Sequence, residues 1–192
     1  MARTPSTMAP LGSVMPSFRM IDQITGKSVD SDMVAGQHTL FMFICNHCPF
    51  VVHVMDEMIR LANDIVDRGG RVIAINSNDV ERYPQDGPEA MKSLGTSAGM
   101  NFPFCLDETQ SVAKAFGAAC TPDFFLYDSA GRLFYRGQLD DSRPGSDIPV
   151  TGADLRAAVH AVFSGIESPE EQRPSLGCNI KWLPGNAPEY FG

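Results

Sequence analysis

The sequence lacks a long apolar run. None of its apolar stretches approaches the roughly 20 residues that a membrane-spanning helix needs. The segment from Met1 to Phe18 is interrupted by Pro5, Pro10 and Pro16, and it has no apolar stretch of the length found in signal peptides. We therefore expect a cytoplasmic protein that has no membrane partner.

Basic residues are also scarce. The chain has 15 Lys and Arg against 23 Asp and Glu, which gives a formal net charge of −8. Because an acidic surface repels phosphate backbones, and no local Lys/Arg cluster compensates, nucleic acid is not an expected partner. The 192 residues are 43% hydrophobic, which predicts one domain over residues 1–192 with a core at about 17–164 and a surface-wrapping tail at 165–192. A monomer and a homo-oligomer are both compatible with this composition.

Cysteines are few, and their number is odd. A permanent disulfide is unusual in the reducing cytoplasm, so five cysteines do not predict a disulfide framework. They instead indicate one reactive pair and single thiols with separate roles. The five are Cys45, Cys48, Cys105, Cys120 and Cys178.

The hydrophobic pattern alternates between strands and helices. The predicted elements, in chain order, are a hairpin at 19–30, a buried strand at 39–44, an amphipathic helix from 51 to 68, a buried strand at 71–76, a polar loop at 78–88, a helix at 88–99, a short strand near 102–104, a helix at 109–117, a hairpin at 124–136 and a helix after 151. A strand, a helix and a second strand within this length require a parallel crossover. The predicted fold class is therefore α/β.

Cys45 and Cys48 form a C-x-x-C motif at the junction between the first buried strand and the first helix. Two cysteines in the first helical turn have Cα atoms roughly 5 to 6 Å apart, which suits a disulfide. The helix N-terminus favours the thiolate of the first sulfur. We expect Cys45 to be the exposed nucleophile and Cys48 the resolving thiol, and the redox-active Cys45–Cys48 disulfide takes the place of a cofactor.

A metal site is the alternative for this motif. Zinc or copper could be held by the pair together with His47, His53 or Cys178. Zinc sites usually offer a second ligand pair at similar spacing, and the chain has none. No metal is therefore predicted, although copper delivery stays open as the least favoured function.

Several motifs resemble one family, the thioredoxin-like branch of the alkyl hydroperoxide reductase and thiol-specific antioxidant (AhpC/TSA) family, often described as peroxiredoxin-like. The segments that carry the resemblance, which extends from about residue 14 to 182, are 45–50 (CNHCPF), 78–84 (NDVERYP), 107–110 (DETQ), 120–126 (CTPDFFL), 135–138 (YRGQ), 140–144 (DDSRP) and 177–182 (GCNIKW). The resemblance implies a thioredoxin fold: a central mixed sheet of four or five strands flanked by helices, here with an N-terminal hairpin, an insertion after the second central strand and a C-terminal tail. It also implies a disulfide-exchange or antioxidant role and a cis-proline opposite the redox pair, which Thr121-Pro122 matches.

The chain departs from two related groups at their functional positions. Thioredoxins proper have Trp before the first cysteine and a buried acid six residues before it, where this chain has Ile44 and Thr39. Peroxiredoxins proper have Thr three residues before the peroxidatic cysteine, and neither Cys48 nor Cys45 is preceded by Thr at that spacing. The predicted function is therefore thiol-disulfide oxidoreductase in cell redox homeostasis, with peroxiredoxin-like thiol peroxidase as the alternative. The predicted partners are protein or small-molecule disulfides, hydroperoxides in the alternative, and a thiol reductant.

The remaining polar and sulfur residues have separate predictions. His47, between the two cysteines, is expected to lower the pKa of Cys45 and make the pair more oxidising. Cys105 is expected in the core, and Cys120 near the redox pair as either a structural or a reactive thiol. The tail is expected to fold back over the C-x-x-C side, where Cys178 would pair with Cys120, act as an auxiliary resolving thiol, or remain a free thiol under Trp182.

Overall fold

The structure, a computed structural model, describes residues 3–169 and 171–190. The other five residues, which the predicted domain span includes, lie outside the described part: Met1, Ala2, Glu170, Phe191 and Gly192. The described strands are β1 (Arg3–Pro5), β2 (Arg19–Asp22), β3 (Ser28–Asp30), β4 (Thr39–Phe43), β5 (Arg71–Asn76), β6 (Phe104–Leu106), β7 (Cys120–Thr121), β8 (Asp123–Tyr127), β9 (Leu133–Gly137) and β10 (Leu176–Asn179). The described helices are α1 (Pro49–Asp67), α2 (Pro88–Ser97), α3 (Ser111–Phe116) and α4 (Ala153–Phe163), with short 3-10 helices at Ser31–Val34 and Pro84–Asp86.

A mixed sheet of seven strands lies at the centre, in the order β3-β2-β6-β5-β4-β8-β9. Strand β4 is parallel to β5 and antiparallel to β8, and all five of its residues are buried. Its continuous apolar run fits this position because helices cover both faces of a central strand. In the register between β4 and β8, Phe43 lies opposite Asp123. The residues that follow β4 therefore approach the residues that precede β8.

The hairpin predicted at 19–30 is confirmed as β2 and β3. It joins the central sheet, because β2 pairs with β6. The central sheet therefore has seven strands, more than the four or five that the resemblance implies. The short strand predicted near 102–104 begins at Phe104, and the other predicted helices and strands are found within a few residues of their expected bounds.

Two apolar cores lie on opposite faces of the sheet, as the alternation along β4 shows. Leu40 and Met42 point to the core that contains α1 and α4, while Phe41 and Phe43 point to the core that contains α3. Helix α1 presents eight buried apolar residues to the first core, and each fully buried aliphatic or aromatic side chain contributes about 1.5–3 kcal/mol relative to an exposed one. Among the helices of the described residues, none has the length and apolar character needed to cross a membrane.

The tail contains a strand that the sequence did not predict. Strand β10 lies between β1 and β7 in a second, three-stranded antiparallel sheet. Cys178 and Ile180 are 6% and 1% exposed, so this part of the tail is buried rather than wrapped over the surface. Gly177 permits the close approach, because a Cβ atom at this position would lie 2.0 Å from the carbonyl oxygen of Thr121.

Candidate functional site

The two cysteines lie where β4 gives way to α1. The backbone N–H of Ile44 still donates to Ile75 of β5, at 2.9 Å. Helix α1 begins at Pro49, so Cys48 is its N-cap residue, and a proline suits the first helical position because it lacks an N–H group that would be left unpaired. The sequence placed both cysteines in the first turn. In the structure Cys48 alone borders the helix, and Cys45 lies in the loop before it.

A cis peptide bond joins Thr121 to Pro122, as the resemblance implied. Thr121 faces both sulfurs: its hydroxyl lies 3.7 Å from Cys45 Sγ, and its carbonyl oxygen accepts a hydrogen bond from the Cys48 thiol at 3.1 Å. The register of β4 with β8 explains this meeting of distant segments. The structure therefore brings together four of the predicted site residues, Cys45, Cys48, Thr121 and Pro122.

Neither sulfur lies at the surface. Cys45 is 1% exposed and Cys48 is fully buried, so the expectation of an exposed Cys45 is wrong. Side chains of the first core surround the pair, and Phe50 and Val51 of α1 belong to the same core. A substrate sulfur can reach the pair only through a narrow approach or a local opening.

The two cysteines shift each other's pKa in opposite directions. A hydrogen bond with Cys45 lowers the pKa of Cys48 against the opposing effect of burial, and Thr121 and the Val51 backbone N–H act in the same direction. The hydrogen bond with Cys48, burial and the negative charge of Asp86 raise the pKa of Cys45. These directions favour ionisation of Cys48 before Cys45, whereas the sequence predicted the thiolate on Cys45, because the helix N-terminus faces Cys48 and a carboxylate faces Cys45.

Asp86 is a site residue that the sequence reasoning missed. Its fully buried carboxylate accepts the backbone N–H groups of Asn46 and His47 at 2.9 and 3.2 Å. It also pairs with His47 Nδ1 at 2.6 Å and accepts the Asn78 amide at 2.8 Å. The signal that could have found it is its place in the loop after β5, because the carboxyl ends of parallel neighbours such as β4 and β5 meet at one edge of the sheet.

His47 faces this carboxylate. Its ring also stacks on Tyr83, with ring centroids 5.4 Å apart and planes 4° from parallel. The expected lowering of the Cys45 pKa by His47 stays a prediction, because the raised pKa of Cys45 comes from Cys48, burial and Asp86. The hydrogen bonds and the stacking give His47 a role in fixing the C-x-x-C loop.

The tail does fold back onto the C-x-x-C side, as predicted. Cys178 lies opposite Thr121 in the register of β10 with β7, and it shares the apolar core of Cys45 and Cys48. Burial, together with an interaction with the Cys48 thiol, raises the pKa of Cys178 to about 11. Trp182 packs against the other core, so Cys178 does not lie beneath it.

Cys120 lies near the redox pair, as expected: after burial and the charge of Asp123, the Cys48 and Cys178 groups also raise its pKa. Cys120 is buried with its sulfur 3.7 Å from the carbonyl oxygen of Pro122, and burial raises its pKa. Cys105 belongs to the opposite core, as expected, and burial followed by the charge of Asp22 raises its pKa to about 12. His53 lies 2.7 Å from the hydroxyl of Ser142.

The residues that lie close enough together to bind a metal differ from those considered in the sequence, because they include Asp86. Donor atoms of Cys45, His47 and Asp86 lie within 4.8 Å of one another. The Asp86 oxygens already accept two backbone N–H groups and the Asn78 amide. A metal on Asp86 would compete with these bonds, whereas the carboxylate is well placed to orient His47.

Three comparisons place this geometry among known proteins. A family model described as Redoxin matches residues 10–155. A thiol-disulfide oxidoreductase, ResA, from Halalkalibacterium halodurans is 23% identical over 114 residues, which are 59% of this chain and 61% of the relative. The chain thus spans about three fifths of the length of that curated relative.

Two solved structures support the fold. An uncharacterized conserved protein from Geobacillus kaustophilus is 52% identical, with a TM-score of 0.93 over 96% of this chain and 98% of the other. A thiol:disulfide interchange protein of the thioredoxin family from Chlorobium tepidum is 19% identical, with a TM-score of 0.61 over 81% of this chain and 98% of the other. The second likeness is one of fold alone, and it confirms the predicted thioredoxin-like architecture.

Proposed function

Because the chain belongs to the Redoxin family, we propose that it is a thiol-disulfide oxidoreductase with Cys45 and Cys48 as its dithiol. One observation carries the proposal: both sulfurs meet Thr121, next to the cis-proline, and Cys48 caps the N-terminus of α1. The curated relative is named a thiol-disulfide oxidoreductase, which agrees with this chemistry. No cofactor beyond the Cys45–Cys48 disulfide is needed.

The reaction is two successive exchanges. A thiolate of the pair attacks one sulfur of a disulfide substrate, and the electron pair of the broken bond leaves with the other substrate sulfur. The second thiol of the pair then displaces the bound half, which leaves as a thiol, and the Cys45–Cys48 disulfide forms. A thiol reductant returns the pair to the dithiol state.

The order of attack follows from which sulfur is ionised at rest. The lowered pKa of Cys48 supports attack by Cys48 and resolution by Cys45, the reverse of the order predicted from sequence. Lowering the pKa of a cysteine raises the fraction that is thiolate at neutral pH above the few per cent of an ordinary cysteine. Cys48 is therefore the better nucleophile.

Substrates are disulfides that can enter a narrow site. Since the sulfurs are 1% and 0% exposed, a small-molecule disulfide or an extended peptide reaches them more readily than a folded protein surface does. We expect the reaction to run in the cytoplasm, where thiol reductants regenerate the pair.

A single preparation of the purified protein tests the proposal in three assays. Reduction of glutathione disulfide and of insulin, consumption of hydrogen peroxide, and elemental analysis for metal are measured for the wild type, Cys45→Ser, Cys48→Ser and the control Cys105→Ser. We expect disulfide reduction by the wild type and the control, and its loss in Cys48→Ser. Peroxide consumption without disulfide reduction would favour the peroxidase, and stoichiometric metal that blocks alkylation of Cys45 would favour the metal protein.

A further inference from the structure

Strand β10 occupies the backbone edge beside the cis-proline. In the antiparallel register of β7 and β10, Cys178 lies opposite Thr121 and Asn179 lies opposite Cys120. Thr121 is the residue whose carbonyl oxygen lies 3.1 Å from Cys48 Sγ. The tail thus presents a cysteine to the redox pair in the manner of an extended substrate strand.

The approach of this strand is unusually close. A Cβ atom on Gly177 would lie 2.0 Å from the Thr121 carbonyl oxygen, so only glycine fits there without a shift of the backbone. Strand β1 covers the other edge of β10, with Arg3 opposite Cys178. Pairing on both edges holds Cys178 in place rather than leaving it on a free tail.

Cys178 lies in the same part of the core as Cys48. It is opposite Thr121, whose carbonyl oxygen contacts Cys48 Sγ; Cys178, Cys48 and Cys45 share one buried core, and Cys178 and Cys48 shift each other's pKa. Cys178 is 6% exposed, which makes it slightly more accessible than either cysteine of the pair. Cys48 is therefore flanked by two thiols, one from its own loop and one from the tail.

We propose that Cys178 is a second resolving thiol, and that a Cys48–Cys178 disulfide latches strand β10 over the redox pair. This inference rests on the proposed function, because it begins from the Cys45–Cys48 disulfide. Cys178 attacks Cys48 Sγ, the Cys48–Cys178 bond forms and the Cys45–Cys48 bond breaks. The electron pair of the broken bond goes to Cys45, which takes up the proton that Cys178 releases. The exchange is an isomerisation and consumes no oxidant.

Cys120, the other partner considered from sequence, is less suited to this role. Directly opposed residues share a face of an antiparallel pair and successive residues alternate, so Cys178 shares the face of Thr121 while Cys120 shares that of Asn179. Cys120 also lies outside the core that holds the other three thiols. Of the alternatives considered from sequence, the register therefore favours an auxiliary resolving thiol that acts on Cys48 over a Cys178–Cys120 pair.

Formation of the Cys48–Cys178 disulfide inactivates the redox pair. In the Cys48–Cys178 isomer the attacking sulfur is blocked and Cys45 is a free thiol without a partner disulfide. The Cys178 thiol and the external thiol reductant then compete as nucleophiles for oxidised Cys48. A thiol reductant that attacks the latched bond restores activity.

The test uses the full-length chain and glutathione disulfide. Cys45→Ser, Cys45→Ser/Cys178→Ser and the matched control Cys45→Ser/Cys105→Ser are mixed with this reagent, quenched with acid, alkylated and mapped by mass spectrometry. We expect Cys45→Ser and its control to hold a Cys48–Cys178 disulfide. The Cys178 variant should instead keep glutathione on Cys48 for at least about tenfold longer, because it lacks an intramolecular resolving thiol.

Any result without a Cys48–Cys178 bond in the Cys45→Ser protein overturns the latch, whether the mixed disulfide persists or the thiols stay free. The wild type, mapped in parallel, separates this failure from that of the proposed function. If the wild type still forms the Cys45–Cys48 disulfide, the proposed oxidoreductase function stands and only the latch is contradicted. A wild type that forms neither bond contradicts both.

Discussion

Two segments from distant parts of the chain hold the C-x-x-C loop from different sides. The loop after β5 reaches it through the buried carboxylate of Asp86, which binds two backbone N–H groups of the loop. Strand β10 reaches it through a thiol, that of Cys178. A carboxylate can fix the position of the loop and set its charge, whereas a thiol can exchange covalent bonds with it. The Asp86 side is therefore suited to supporting the loop, and the Cys178 side is suited to reacting with it.

The largest expected effect comes from removing the sulfur of Cys48, on which both Cys45 and Cys178 are proposed to act. Cys48→Ser should lower the initial rate of glutathione disulfide reduction by at least about a hundredfold, since a serine hydroxyl is not ionised at neutral pH. Cys45→Ser should lose less, because Cys178 remains to resolve the mixed disulfide. A Cys45→Ser protein without activity, beside a Cys48→Ser protein that accumulates mixed disulfides, would restore the order predicted from sequence.

The Asp86 side is tested by removing its carboxylate. Asp86→Ala leaves four donors of the loop and its neighbours without their acceptor. Each buried, unpaired group costs about 1–3 kcal/mol, so we expect the free energy of unfolding to fall by about 4 kcal/mol or more. Urea unfolding measures this loss, with the exposed Asp56→Ala on α1 as the control. A loss below about 1 kcal/mol would show that Asp86 does not support the loop.

A buried carboxylate beside the cis-proline, Asp123 at the start of β8, has a pH dependence of its own. Asp123 follows Pro122, and burial raises its pKa to about 7, above the ordinary value in an unfolded chain. The folded protein then holds a proton that the unfolded chain releases, so stability is greatest below about pH 4, declines towards about pH 7 and is flat above it. The decline attributable to Asp123 is on the order of 4 kcal/mol.

Thermal unfolding from pH 4 to pH 8 checks this prediction. Asp123→Asn keeps the size of the side chain and removes its titration, so its melting temperature should depend less on pH than that of the wild type over this range. Parallel curves for the two proteins would mean that Asp123 is ionised in the folded state throughout.

The smallest expected effect comes from moving β10 without touching a sulfur. Gly177→Ala places a methyl group against the Thr121 carbonyl and should cost about 1–3 kcal/mol of stability, as overpacking does. The yield of Cys48–Cys178 should fall while Cys45–Cys48 still forms. Asn179→Ala, on the same strand, adds no atom and serves as the control. Equal latch yields in both variants would argue against strand placement as the cause.

Local pattern was enough to predict much of the fold. The continuous apolar run of β4, the amphipathic α1 and the glycine turn after it each specify their own structure through short-range periodicity. The hairpin at β2 and β3 is local for the same reason. The cis bond at Pro122 came from the resemblance rather than from periodicity, because no pattern in a single chain marks it.

The missed parts of the site depend on long-range contacts. Asp86 lies about 40 residues from the loop that it binds, and a polar loop gives no sign of which carboxylate will be buried. Strand β10 lies in a segment rich in Pro and Gly, and its pairing with β1 and β7 joins the two ends of the chain. Helix α1 begins at Pro49, so both cysteines precede it rather than forming its expected first turn, and their contacts depend on distant segments.

One measurement tests the central claim, that Cys45 and Cys48 form an exchanging dithiol. The wild type is equilibrated at pH 7 with glutathione buffers of stepwise increasing oxidation, quenched, alkylated and mapped by mass spectrometry. We predict a reversible two-electron transition between a dithiol and a Cys45–Cys48 disulfide, with a midpoint in the range of about −270 to −120 mV known for dithiol oxidoreductases, while Cys105 is alkylated throughout. Cys45 and Cys48 that both remain free thiols at every ratio would contradict the claim.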